Sequence, residues 1–556
     1  MKKICALILS VLLFSCASNT SPNGYRDETY EVTQERAFLG YDLDKVYDRS
    51  INIKVHANSN NEMDEFVSSL KDFDVVEKTR MEGFREGEMF VTVKANKNYP
   101  ETLKKIRELS NVFYAEPDYK MSIIDNFYEP SPVNSIISPF GLSEGNLDQD
   151  PVGDYKEYAL AITEALRAYE EVGYGDHTVW AGIVDTGTNG NHEDLKYENG
   201  ERVVQVLKTA FGGYYGNQIE EVSGGNSDTE IREGGHGTHC TGSICAVGNN
   251  GKGMAGVAWK NVKFASYKGL ERGGGSPSSI YGSLKDLTDT VRNKVSQKQQ
   301  ATIPVNMSLG GPVASIYAIE ALNYALSKGV LVVAANGNEG QFLPSYPTAC
   351  PGVLSVGASG DDDKKTGFST AGSWLNVVAP GLNIISLGHT STKSYVYMSG
   401  TSMATPFVTG VVAYLLSFDP TLTPSQIIAI LEKTADKIDV HNQDPVGKYD
   451  ENGFSDWYGY GRVNVYKAAK MVKEGNVPKV GEEYVETLLT VNAPAKNRIV
   501  YVYDKNTGVL VTMSISYGYP ARTEFRGLRP GSYNIVCSNN VKEVTIGNDK
   551  DVTVAF

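Results

Sequence analysis

Between Thr178 and Lys473, short apolar runs alternate with stretches of helical periodicity, and this alternation restricts the fold more than any other feature of the chain. The strand candidates are the short apolar runs 179–184, 262–267, 305–309, 330–335 and 353–356. Strands of this kind, separated by helices, form a mostly parallel sheet covered on both faces. Between two of the runs, Ile319, Leu322 and Leu326 line one helical face that stops at Lys328-Gly329, a C-terminal capping signal. Further on, Thr423-Pro424-Ser425-Gln426 supplies an N-cap, a proline at the first helical position and the Gln of a capping box.

A chain of 556 residues exceeds one ordinary core, so flanking domains are expected. At 46–120 the order is strand, helix, strand, helix, strand: Ile51–Val55, Met63–Leu70, Met89–Val93, Leu103–Leu109 and Val112–Tyr114, a small α+β domain. Residues 121–155 mix Pro, Ser, Gly and Asp without periodicity, as an exposed connector would. The central α/β domain then spans 156–475. From 481 to 556 helical periodicity vanishes, and strand patterns separated by turn residues indicate a small all-β sandwich. The net charge of −14 would be repelled by nucleic acid and by anionic membrane, which excludes both as general partners.

Lys2-Lys3 followed by the apolar run Ile4–Phe14 reads as an export signal, residues 1–15, too short to span a bilayer. Its end, Leu13-Phe14-Ser15-Cys16, resembles the lipobox of bacterial lipoproteins, in which the cysteine carries lipid. That resemblance implies an anchor on Cys16 and a polar tether over 16–45; ordinary cleavage near Ala17 is the alternative. The remaining cysteines, Cys240, Cys245, Cys350 and Cys537, follow no metal-ligand spacing. They read as buried thiols, with one disulfide open.

Three motifs carry chemistry. Val184-Asp185-Thr186-Gly187 puts a carboxylate at the end of an apolar strand, where open α/β sheets place reactive groups. Gly235-His236-Gly237-Thr238-His239 puts a histidine between glycines at a helix start. Gly400-Thr401-Ser402-Met403-Ala404-Thr405-Pro406 puts a serine at the entry to an apolar helix. A serine hydroxyl needs a neutral imidazole to take its proton and a carboxylate to fix the imidazole tautomer. The competing reading of His236 and His239 as a metal pair lacks the usual spacing of four and a third ligand.

In the order Asp, His, Ser, the motifs resemble those of the subtilisin family of serine peptidases, over about residues 150 to 475. The resemblance implies a subtilisin-like fold, Ser402 as nucleophile, His236 as general base and Asp185 as orienting acid. Ala334-Ala335-Asn336-Gly337-Asn338-Glu339-Gly340 resembles the family's oxyanion segment, with Asn338 as donor. Asn306–Gly311 resembles the substrate-binding segment, so Ser308, Leu309 and Gly310 would pair with an extended polypeptide opposite 267–275, and Glu339 would border the P1 pocket. Asp194 and Asn250, in the Asn249-Asn250-Gly251 turn, match a structural calcium site of the family; a plain Asn-Gly turn is the alternative.

The 46–120 domain resembles a subtilisin propeptide, notably at Val112-Phe113-Tyr114-Ala115-Glu116-Pro117-Asp118-Tyr119. This implies an intramolecular inhibitor and folding aid, cut within the connector. Phe525–Tyr533 resembles a turn of transthyretin-like sandwiches, as a spacer or an attachment module. The expected function is that of an exported, self-processed serine endopeptidase, membrane-anchored or released after processing. The alternatives are a processing peptidase of narrow specificity and an inactive adhesin on the same fold.

Overall fold

The computed structural model describes residues 46–123 except 85–86, 131–132, 158–210, 216–217, 235–479 except 272, 314, 341 and 343, and 488–556 except 496–497, 507–509, 517–520, 539 and 548–550. The signal segment, the tether with Cys16 and most of the connector lie outside these residues.

The N-terminal unit runs β1 (Val46–His56), α1 (Asn60–Ser69), β2 (Val75–Glu82), β3 (Glu88–Ala95), α2 (Tyr99–Arg107) and β4 (Val112–Tyr119), with sheet order β2-β3-β1-β4. Ile51, Ile53, Val55, Met63, Phe66, Leu103 and Ile106 form its core. β2 was not expected from the sequence, because Glu77, Lys78 and Arg80 break its apolar pattern. It lies at the sheet edge, where such charges are tolerated.

The chain then forms β5 (Met121–Ile123) and the short β6 (Ser131–Pro132). The central unit follows with β7 (Val179–Asp185), β8 (Val204–Thr209), β9 (Gly216–Asn217), α3 (His236–Cys245), β10 (Val262–Lys268) and β11 (Gly274–Gly275). It continues with α4 (Pro277–Arg292), β12 (Ile303–Met307), β13 (Leu309–Gly310), α5 (Ile316–Ser327), β14 (Val330–Ala335), β15 (Leu354–Ser359) and β16 (Val377–Pro380). After β17 (Ile384–Leu387) and β18 (Tyr395–Met398) come α6 (Thr401–Phe418), α7 (Pro424–Thr434) and α8 (Val465–Lys473).

Eight strands join in the order β16-β15-β14-β12-β7-β10-β8-β9, parallel throughout except for the β8–β9 pair. β7 lies between β10 and β12, so its carboxyl end opens at the middle of the sheet. α6 is the core helix: every residue but Phe418 is buried. The Thr423 capping box forms as the sequence indicated, Thr423 Oγ1 accepting from Gln426 N at 3.3 Å and Gln426 Oε1 from Thr423 N at 3.0 Å.

The C-terminal strands β19 (Leu488–Asn492), β20 (Ile499–Asp504), β21 (Leu510–Ile515), β22 (Arg522–Arg526), β23 (Gly531–Cys537), β24 (Asn540–Ile546) and β25 (Asp551–Ala555) form two sheets, β22-β19-β25 and β21-β20-β23-β24. Leu489, Val500, Val502, Phe525 and Ile535 fill the space between them. Cys240, Cys245, Cys350 and Cys537 are buried free thiols.

Candidate active site

Asp185 ends β7 fully buried. Its Oδ1 accepts from Thr186 N at 2.7 Å, Thr186 Oγ1 at 3.2 Å and His236 Nδ1 at 2.8 Å. These bonds fix the carboxylate and require the proton of a neutral His236 on Nδ1, which leaves Nε2 as the acceptor. His236 is the first residue of α3, reached through Gly235 at φ +85°, a left-handed conformation that glycine adopts without strain. At Gly237, a Cβ would lie 2.1 Å from the Gly187 carbonyl oxygen, so the second glycine of the motif is required by close backbone approach.

Burial disfavours the charged form of His236, but the Asp185 carboxylate outweighs it and raises the imidazole well above its ordinary pKa. Cys240 lies one turn along α3, its Sγ 4.0 Å from His236 Nδ1. Burial raises that thiol's own pKa, so it stays neutral and Asp185 supplies the charge. His239 points elsewhere: Nε2 meets the Ile384 carbonyl at 2.9 Å, and burial lowers its pKa to about 3. The two histidines of the motif therefore do not converge on one point.

Ser402 is the second residue of α6, and Pro406 stands four positions later. Proline has no N–H, so the Ser402 carbonyl lacks its helical donor. Ser308 Oγ replaces that donor at 2.9 Å, and Cys240 Sγ reaches the same oxygen at 3.4 Å. In return, Ser402 Oγ donates to the Ser308 carbonyl at 3.2 Å. His236 Nε2 is buried and makes no hydrogen bond among the described residues. In this structure the serine hydroxyl is thus turned toward Ser308 rather than toward the imidazole.

Asn338 follows β14 and stands beside the start of α6, where its Oδ1 accepts from Thr401 N and Thr401 Oγ1, both at 2.9 Å. Those donors turn the Nδ2 end of the amide away from Thr401. Asn336, two residues earlier, is fully buried and committed to the core: Nδ2 donates to Thr370 O at 2.5 Å, and Oδ1 accepts from Trp374 Nε1 at 2.6 Å.

The predicted substrate strands hold a strand of the chain itself. β5 lies between β11 and β13, antiparallel to both, with Ser122 opposite Gly274 and Gly310, and Ile123 opposite Leu309. Met121 and Ile123 are buried, whereas Ser122 is exposed. Just before β5, Glu116 accepts from Ile316 N at 3.0 Å, Tyr317 N at 2.9 Å and Ser315 Oγ at 2.8 Å at the start of α5. Asp118 accepts from Ser278 N at 3.1 Å and Ser278 Oγ at 2.7 Å at the start of α4. Both carboxylates satisfy helix N-terminal donors and face the positive end of a helix dipole. Glu339 is exposed.

Asp194 and Asn250 also come together, Asn250 Nδ2 lying 3.3 Å from Asp194 Oδ1. Asp194 is fully buried, and its Oδ2 accepts from Met254 N and Tyr395 OH, each at 3.0 Å. Asn250 turns its Nδ2 rather than its Oδ1 to the carboxylate, its Oδ1 accepting from Lys252 N at 2.9 Å, so as it stands the pair is a closed hydrogen-bond cluster and not a ready set of oxygen ligands for calcium.

Sequence reasoning missed Thr186, Cys240, Thr401 and the role of the Ser308 hydroxyl. Cys240 was accessible through its i+4 spacing from His236; the contacts of Ser308 and Thr401 join segments remote in sequence.

The subtilase family model matches residues 176–461. Thermitase of Thermoactinomyces vulgaris is 35% identical over 321 residues, which span 58% of this chain and 98% of thermitase. The chain belongs to the subtilase family. A thermophilic serine proteinase of Bacillus sp. (strain AK1) is 30% identical to this subtilase over 67% of the chain and 76% of the proteinase. Fervidolysin from Fervidobacterium pennivorans, a keratinolytic enzyme related to subtilisin, shares the fold with a TM-score of 0.66 at 23% identity, over 93% of this chain and 79% of fervidolysin. This subtilase is a serine endopeptidase, and its substrates are polypeptides.

Proposed function

We propose that this subtilase is exported, cuts itself from a precursor and hydrolyses proteins through Ser402, His236 and Asp185. The observation that carries the reading is the Asp185–His236 hydrogen bond of 2.8 Å, which leaves a buried Nε2 acceptor without a hydrogen bond among the described residues, on the helix whose Cys240 touches the Ser402 carbonyl. In this mechanism the Ser402 hydroxyl leaves the Ser308 carbonyl and takes His236 Nε2 as its partner. His236 takes the Ser402 proton as Oγ attacks the substrate carbonyl, and later returns it to the leaving amine. The Ser402 N–H and Asn338 Nδ2 stabilise the oxyanion.

Self-processing draws support from β5. In the antiparallel register Leu309 faces Ile123, and Ser308, the next residue toward the nucleophile, offers the carbonyl that Ser402 Oγ touches. The cut is therefore expected one residue past the described strand, between Ile124 and Asp125. Residues 46–120 act as inhibitor and folding aid by holding the strand that follows them, β5, in the substrate position until that cut. Purified wild type should yield a mature N-terminus at Asp125, whereas Ser402→Ala should stay full length; processed Ser402→Ala would refute self-cleavage.

A calcium ion at Asp194 and Asn250 would require the Asn250 amide to turn its Oδ1 toward the carboxylate, and its contribution would be to stability, not to chemistry. EDTA should lower Tm, and an unchanged Tm would remove the ion. Lipid on Cys16 would keep the N-terminal unit at a membrane and let the processed peptidase leave; mass spectrometry of the precursor reads this out. The 481–556 sandwich serves as a stabilising spacer: Asn323 of α5 donates to the Glu524 carbonyl at 3.1 Å, and Arg529 meets Glu432 at 3.0 Å.

A further inference from the structure

Between the N-terminal unit and the peptidase, Lys54 carries a buried charge that neither strand pairing nor helix capping explains. Lys54 lies on β1 opposite Phe90 of β3 and Tyr114 of β4, and its side chain is 1% exposed. The ammonium lies 3.0 Å from Glu88 Oε2 of its own sheet and 3.0 Å from Glu320 Oε1 of α5. Tyr114 OH donates to Glu320 Oε2 at 3.1 Å, and the rings of Phe90 and Phe113 stand 5.7 Å from the ammonium.

Glu88 and Glu320 thus approach one cation from opposite sides of the interface. With that cation removed, docking would bury two carboxylates together, at a cost that one missing attraction does not match. Strand pairing and carboxylate caps would be supplied by many extended acidic segments, so they discriminate weakly between partners. A buried charge that needs its complement discriminates strongly, because a mismatched cover is repelled as well as unsupported.

We propose that Lys54 is the recognition residue through which the peptidase accepts its own N-terminal unit, Glu320 making the α5 surface reject covers that bring no buried cation. The proposal rests on the reading of residues 46–120 as inhibitor. Its experiment uses the full-length Ser402→Ala chain, in which docking is observed without catalysis.

The amides of Ile316 and Tyr317, which donate to Glu116, report docking by hydrogen exchange. Lys54→Glu and Glu320→Lys should each speed exchange at these two amides by about 100-fold, while the β12 and β14 amides stay protected. The double variant Lys54→Glu/Glu320→Lys restores one cation between two carboxylates and should return exchange to within about tenfold of the parent. Single variants that exchange like the parent would overturn the proposal. So would a double variant that fails to recover protection, whether by staying open or by failing to fold. Because no arm requires cleavage, a failure here is distinguishable from a failure of the proposed Ser402 chemistry.

Discussion

The two sides of the candidate active site are built in different ways. On the acid–base side, Asp185, Thr186, His236 and Cys240 come from one strand end and the N-terminal half of one helix, all buried, with His236 held by its bond to Asp185. On the donor side, Ser308, Asn338, Thr401 and Ser402 come from three segments joined by crossed hydrogen bonds, and Asn338 is only half-buried. The first side is set by local geometry and a charge in a dry site. The second exists only when β13, the end of β14 and α6 are assembled, and the missing N–H of Pro406 creates the vacancy that ties Ser308 to Ser402.

The largest effect should come from the charged side. Asp185→Asn should lower kcat by about 10⁴-fold, the magnitude typical of losing the orienting carboxylate. The pH profile adds a sign. In the proposed mechanism activity needs neutral His236, so the rate should rise with pH as the imidazole loses its proton, and Asp185 holds that step above the ordinary histidine range. Without the carboxylate, the rising limb should move to lower pH even as the plateau falls. A plateau that falls with an unmoved limb would mean that Asp185 orients His236 without setting its charge.

Asn338→Ala should cost about 10² to 10³ in kcat, a magnitude taken from subtilisin itself, with little change in KM. An unchanged kcat would leave the donor side without a side-chain donor. Thr401→Val should cost less, about tenfold in kcat, through loss of the hydroxyl bond from Thr401 to the Asn338 amide oxygen. Combined with Asn338→Ala it should add almost nothing, because Thr401 acts through Asn338. Full additivity of the two losses would separate them.

The same contrast explains what the sequence made legible. Asp185 and His236 stood in short motifs because the strand end, the two glycines and the helix start are consecutive in the chain. The parallel sheet was visible in its apolar runs, but β8 and β16 were not, since β8 carries Gln205 and Lys208 and β16 has four residues. α4 has a pattern of its own, Ile280, Leu284, Leu287 and Val291 repeating at helical spacing, that the strand runs on either side do not indicate. On the donor side, Asn338 is named by resemblance alone; Asn336, two residues earlier, spends its amide on core bonds to Thr370 and Trp374. The crossed bonds between Ser308 and Ser402 span 94 residues, and no local pattern encodes them.

The most direct test of the central claim is labelling of the processed enzyme by a fluorophosphonate, which reacts only with an activated serine. The account predicts one label on Ser402, lost in Ser402→Ala and formed far more slowly in Asp185→Asn. Labelling that persists in Ser402→Ala, or processed wild type that takes no label, would contradict it.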